Sequence, residues 1–223
     1  MDDASGADRG DAAATVRRIL GRYLEEIVER HEFCPWARGA RLQGELAVGI
    51  VWGEPDLDAW QHEAERLMAT PGAAVAMVVA PESSLARHAL ARLRDQLAAA
   101  LPAAGVAEFH PDAPLDLATP ARLVPFLRRS PDPMLQLVPL RLLDAARATP
   151  PPPDRAQQAA MLRGHAPPPR PAIAERIAAA NHATAARAHA ELAARLDAIA
   201  ADRAASYAAA GITATVSWSR SRS

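Results

Sequence analysis

Leu46-Ala47-Val48-Gly49-Ile50-Val51-Trp52 is short, apolar and rich in branched side chains, and Gly53 and Pro55 close it. A run of this kind reads as a buried strand. Residues 56–69 follow with Leu57, Trp60, Ala64, Leu67 and Met68 at helical spacing, stopped by Pro71-Gly72. Residues 73–80 (AAVAMVVA) form a second strand pattern, after which Ser83 or Ser84 is placed to cap a helix striped by Leu90, Leu93, Leu97 and Leu101. Gly105 opens a third strand over 106–110. Thr119-Pro120 sets a capping hydroxyl before a first-turn proline, predicting a short helix that Pro125 kinks, and 134–138 supplies a fourth strand. This order predicts an α+β fold, a ferredoxin-like sandwich of about four strands with packed helices, in preference to a small open α/β sheet.

Ahead of the first strand, Val16, Ile19, Leu20, Tyr23, Leu24, Ile27 and Val28 recur at three and four, the stripe of an amphipathic helix. Extending that stripe brings His31 and Cys34 to the core side, so the thiol is expected to be shielded. Residues 1–11 read as a disordered N-terminus and 12–147 as the α+β domain. The prolines at 150–153, 167–169 and 171 make 148–172 a proline-rich linker or insertion without regular structure. Ile173, Ile177, Ala185, Ala188, Leu192, Leu196 and Ile199 then trace one face of a long alanine-rich helix over 173–210, ended by Gly211, and 211–223 reads as a flexible tail. That helix either packs back on the domain or joins two copies as a homo-oligomer.

Lys and Arg number 25 against 26 Asp and Glu, a formal charge of -1, so there is no basic field to collect nucleic acid or an anionic membrane surface. The single cysteine makes no internal disulfide, the acidic N-terminus lacks the regions of a signal peptide, and no stretch is apolar enough to span a bilayer. The expected location is cytoplasmic, without nucleic acid or membrane as a partner.

Three clusters carry chemistry. His31-Glu32-Phe33-Cys34-Pro35-Trp36-Ala37-Arg38 holds the only thiol, either a core filler or a reactive thiolate beside an aromatic surface and a cation. Phe109-His110-Pro111-Asp112 sets an imidazole at a strand end, either as a proton carrier whose tautomer Asp112 fixes or as a buried ring satisfying backbone groups. Arg128-Arg129-Ser130-Pro131-Asp132-Pro133 holds two guanidiniums at a rigid turn, either an anion clamp or a solvated charge run. The sequence patterns of nucleotide hydrolysis, dinucleotide binding and structural zinc are absent; His31 and Cys34 alone would need two further ligands to hold zinc. His182 and His189, seven apart on the last helix, read as ordinary polar positions.

The segments Phe33-Cys34-Pro35-Trp36-Ala37-Arg38, Phe109-His110-Pro111 and Arg129-Ser130-Pro131-Asp132-Pro133, in this order and spacing, resemble the bacterial domain-of-unknown-function family numbered 1415 over about residues 14–147. That family shows N-x-C-P-F-A-like, F-H-P and N-R-S-P-Y-P segments. The chain departs from it where Arg128 replaces an Asn, where Asp132 replaces a Tyr, and where Leu135-Gln136-Leu137-Val138-Pro139-Leu140 stands for a Leu-His-Leu-Leu-Arg-Glu strand. The resemblance implies that Cys34, Arg38, His110, Arg129 and Ser130 are the positions to test; it supplies no reaction.

The leading expectation is a small-molecule enzyme acting on an anionic substrate, with Cys34 and His110 catalytic and Arg38, Arg129, Ser130 and Trp36 binding substrate. A second is haem binding, as an oxidoreductase or carrier, with Cys34 or His110 as axial ligand and arginines on the propionates. A third is a non-catalytic interaction module built on the last helix and the proline-rich linker.

Overall fold

β1 (Leu46–Ile50) pairs in parallel with β2 (Val75–Val79), Leu46 lying opposite Val75 and Ile50 opposite Val79. β2 pairs antiparallel with β4 (Met134–Pro139), and β4 antiparallel with β3 (Ala104–Phe109), giving the order β1-β2-β4-β3. The computed structural model describes residues 3–148, 155–166 and 171–216. The α+β class, the four strands, the packed helices and the long C-terminal helix are all present.

The strands are mostly apolar, with Glu108 in β3 and Gln136 in β4 as exceptions, because both faces of the sheet are covered. On one face Val75, Met77 and Val79 of β2 pack with Met134 against Val16, Ile19, Tyr23 and Ile27, and against Leu192, Leu196 and Ile199. The first group belongs to α1 (Asp3–Tyr23) and its continuation, the second to α8 (Ile173–Ala209). On the other face Ala76, Val78, Leu135 and Leu137 pack against Trp60, Ala64 and Leu67, and against Leu90, Leu93 and Leu97. These last belong to α3 (Leu57–Met68) and α4 (Arg87–Ala100). The sandwich therefore has three layers, with the sheet in the middle.

Local signals set most element ends. Asp56 caps α3 by accepting from the Ala59 N–H at 2.9 Å, and Thr119 caps α5 (Pro120–Leu127) by accepting from Arg122 at 3.2 Å. Neither Ser83 nor Ser84 caps α4, which starts at Arg87 without a side-chain cap. Ser83 is instead fully buried, with its hydroxyl shared between the Glu54 carboxylate and the Leu85 N–H. After β4 come α6 (Leu140–Ala148) and α7 (Arg155–Leu162).

Three expectations need correction. The N-terminus is helical from Asp3, because Ala4, Ala7 and the run of three alanines from Ala12 favour helix and the aspartates suit its positive end. The segment 148–172 is not wholly irregular: α7 forms across its proline-free stretch of Ala, Gln, Met and Leu, while 149–154 and 167–170 lie outside the described residues. The first part of the tail is docked: Gly211 ends α8 with φ of 68°, Ile212 is buried, and Thr213 and Thr215 bond to Glu82. Residues 217–223 lie outside the described residues. Of the two roles expected for the last helix, packing back on the domain is the one seen: the apolar stripe of α8 lies against α1 and α5. Arg18 and Arg22 both meet Asp202 at 2.7 Å along that seam, and their hydrogen bonds hold the Asp202 carboxyl far below the usual range.

A buried ion pair fastens the same helix from inside. Asp132 accepts from Arg203 Nε at 2.8 Å and from the Tyr207 hydroxyl at 2.6 Å, and all three side chains are buried. The Arg203 guanidinium also lies 4.7 Å from the Tyr207 ring centre. Burial, then the charge and hydrogen bond of Asp132, raise the Tyr207 hydroxyl well above its ordinary value. The turn 129–133 is thus an anchor for α8.

Candidate functional site

α1 does not end as a regular helix. Leu24–Glu29 is π-helical, and the five-residue bonds continue as the Arg30 N–H donates to Glu25 O at 3.2 Å and Phe33 to Val28 O at 2.9 Å. Such segments are rare and are often found at functional sites. Glu32 then adopts φ of 55°, a backbone that a glutamate adopts only at a cost. Phe33 turns inward and is buried, its carbonyl held by Asn181 Nδ2 at 3.0 Å. The result is a turn pinned at Phe33 that presents Cys34, half-buried, over one face of the sheet.

Cys34 lines a cavity of about 260 Å³. Its floor is a row across the sheet, Met77, Gln136 and Ala107, which are register neighbours on β2, β4 and β3. Phe33, Phe109 and Met134 add apolar and aromatic walls, and Trp36, 48% exposed, forms the lip. Ala107 leaves the room that a larger side chain would fill. The polar groups of the lining are few: the Cys34 thiol, the Gln136 amide, the Arg128 guanidinium, the Trp36 indole and the Tyr23 hydroxyl. Tyr23 donates to Leu127 O at 3.4 Å, and burial raises its hydroxyl above its ordinary value, with Cys34 adding to the shift. It stays protonated and is no base. Arg128 reaches Glu108 at 3.4 Å, an oxygen that Arg94 also meets at 3.2 Å, so its own tie is long.

His110 is elsewhere. It lines a separate pocket of about 230 Å³ with Arg87 and Glu108, and only Arg128 borders both spaces. Both ring nitrogens are engaged: Nε2 donates to Leu85 O at 2.9 Å, and Nδ1 accepts from the Asp112 N–H at 3.0 Å. The backbone of Asp112, rather than its carboxylate, therefore selects the tautomer. Arg129 is buried and donates from Nε to Pro111 O at 3.1 Å, tying the turn after β3 to the turn before β4. Ser130 is buried and donates to the carbonyl of Asp132. Arg38 is exposed and borders a groove on the far side of Cys34. Of the six residues singled out from sequence, the fold brings Cys34 and Trp36 to one cavity and sets Arg38 beside it. It places His110 in another pocket and Arg129 and Ser130 in the interior.

The imidazole of His110 titrates with a definite sign. Burial lowers its pKa below the ordinary 6.5, Arg87 helps, and the Leu85 bond and Asp112 oppose. The fold favours the neutral ring, so this contribution is complete above the unfolded value and is lost as pH falls from 6.5 toward the lowered one. In urea titrations across that window, His110→Gln is expected to flatten the fall of stability with pH. An unchanged slope would contradict the assignment. His31, also lowered by burial, supplies part of what remains.

Gln136 is the polar cavity residue that the three sequence clusters did not include, and of the two guanidiniums in the third cluster it is Arg128, not Arg129, that reaches the cavity. Gln136 is a polar residue inside an apolar strand, and that interruption was the available signal. Among the described residues, no group of three or more His, Cys, Asp and Glu side chains is placed to hold a metal ion. No helix among them is long and apolar enough to cross a membrane. No family model matches the chain, and no curated protein or solved structure is found to be similar to it.

Proposed function

We propose that the chain binds a small, flat, largely apolar anion in the cavity at Cys34, and that the thiol is the group positioned to act on it. The observation that carries this is the cavity itself: an aromatic and aliphatic lining with Gln136 on the floor and Arg128 at the side. Few polar groups in an apolar cleft are the usual composition of a small-molecule site. The volume, about 260 Å³, falls just under the range of drug-sized sites, so the ligand is the size of one or two fused rings. Arg128 supplies the anion preference, because a guanidinium whose one ion pair among the described residues is long can turn to a ligand carboxylate.

The arrangement favours binding, or chemistry that uses the thiol alone, over paired acid-base catalysis. Among the described residues no imidazole or carboxylate lines the cavity, and His110 has both nitrogens committed. If the resemblance to the family numbered 1415 is granted, the histidine expected on β4 falls at Gln136, on the cavity floor. The apolar cavity, at about 260 Å³, lies below the usual size of a drug-sized site and does not fit a haem macrocycle. The interaction-module reading loses its helix, whose apolar face is covered by the chain's own domain.

The test is a binding series of monocyclic and bicyclic aryl carboxylates against the matching neutral amides. The carboxylates are expected to bind on the order of tenfold more tightly, which is about 1.4 kcal/mol, and Arg128→Gln to erase the preference. Equal affinity of acids and amides for the wild-type chain would overturn the reading.

A further inference from the structure

Cys34 stands in a wall with a different space behind it. A groove of about 590 Å³ runs between the 32–38 turn and the first turns of α8, and Cys34, Arg38, Arg176 and Asn181 border it. Its chemistry is unlike that of the apolar cavity. Arg38 and Arg176 are exposed, and among the described residues neither forms an ion pair. Of the two acids on the rim, Glu29 is already held by Arg41 at 2.6 Å, leaving Glu32 against two guanidiniums. Asn181 is only 7% exposed. Its Nδ2 donates to Phe33 O at 3.0 Å, and the residue lines the groove.

A nearly buried amide on a groove that carries two guanidiniums without ion pairs among the described residues suits a ligand with N–H groups and carboxylates together. A small acidic peptide has both. The groove is large enough for a molecule of that size. Among the described residues, the nucleophile on its wall is the Cys34 thiol.

We infer that this groove receives the disulfide form of a small acidic peptide thiol, and that Cys34 exchanges with it. The Cys34 proton passes to water, and the thiolate attacks one sulfur of the bound disulfide. A new S–S bond forms to Cys34 as the old one breaks, and the other half leaves as a thiolate carrying the electron pair. The disulfide is the oxidant, Cys34 is oxidised, and the product is a mixed disulfide. Arg38 and Arg176 hold the carboxylates, and Asn181 Oδ1 accepts a backbone N–H. The inference stands on the groove alone and does not depend on what enters the apolar cavity.

The test uses the full chain with oxidised glutathione as the acidic disulfide and cystamine as a cationic one. Adduct formation at Cys34 is followed by intact mass. Each rate is divided by that of the same chain unfolded in urea, where the thiol meets both reagents without a groove. The expected result is a preference for oxidised glutathione on the order of tenfold at low salt, shrinking as salt screens the guanidiniums. Arg38→Gln/Arg176→Gln should bring the ratio near parity. Both residues are exposed, so the double variant leaves the core untouched. Parity in the native chain, a preference for cystamine, no adduct on the native chain, or an unchanged preference in the double variant would each overturn it.

Discussion

Asp132→Ala is expected to destabilise the fold by about 3–5 kcal/mol, which for a domain of this size lowers Tm by roughly 6–20 °C. The carboxylate accepts from Arg203 at 2.8 Å and from Tyr207 at 2.6 Å in a site from which water is excluded. Its removal leaves a buried guanidinium without its counter-ion and a buried hydroxyl without its acceptor. Tyr207→Phe removes only one neutral donor and is expected to cost about 1–2 kcal/mol. Replacing the whole pair, as Asp132→Leu/Arg203→Leu, is expected to cost less than the sum of the single changes, because neither charge is then stranded. Urea denaturation of Asp132→Ala, of Tyr207→Phe, and of the double variant beside its two single changes measures this. A loss below about 1 kcal/mol for Asp132→Ala would mean that the pair does not hold α8 as described.

Ala107→Phe is expected to weaken binding of an aryl carboxylate at least tenfold, about 1.4 kcal/mol, while changing stability by less than about 1.5 kcal/mol. Ala107 lies on the cavity floor beside Gln136. An aromatic ring there enters empty space instead of displacing packed atoms, so binding suffers before folding does. Val106, the next residue on β3, packs on the opposite face with the α3 and α4 core. Val106→Ala should therefore lower stability and leave affinity unchanged. Calorimetric titration of both variants separates the two faces of one strand. Full affinity in Ala107→Phe would place the ligand elsewhere.

The strands were legible because each is an apolar run cut by Gly or Pro, and their observed ends fall within a few residues of the expected ones. Their order was not. With helices on both faces, the two-residue alternation that marks a strand's inner side is lost, and nothing in the runs 46–50 and 75–79 distinguishes a parallel pair. The helices at the margins were harder. Asp3 to Asp11 has too few apolar side chains to show a stripe, and α7 hides between prolines.

At the site, the Cys34 turn and the Trp36 lip were legible from residue type and position. The π-helical step that aims them was not, since hydrogen-bond register leaves no mark on composition. The Arg-Ser-Pro-Asp turn looked like an anion clamp because its partners lie far along the chain. Arg203 and Tyr207 follow Asp132 by 71 and 75 residues, and only the fold shows that they satisfy it. His110 reads the same way: a strand-end imidazole looks available until the Leu85 carbonyl and the Asp112 N–H take both its nitrogens.

The central claim is that the apolar cavity at Cys34 is where a small anion binds. Methyl spectra of the chain labelled with carbon-13 at methionine test it most directly, because Met77 and Met134 line that cavity, Met68 packs with the α3 and α4 core and Met161 is exposed on α7. Titration with an aryl carboxylate is predicted to shift the Met77 and Met134 methyls together, in proportion to occupancy, and to leave Met68 and Met161 in place. Saturable binding with both cavity methyls unmoved would contradict the account.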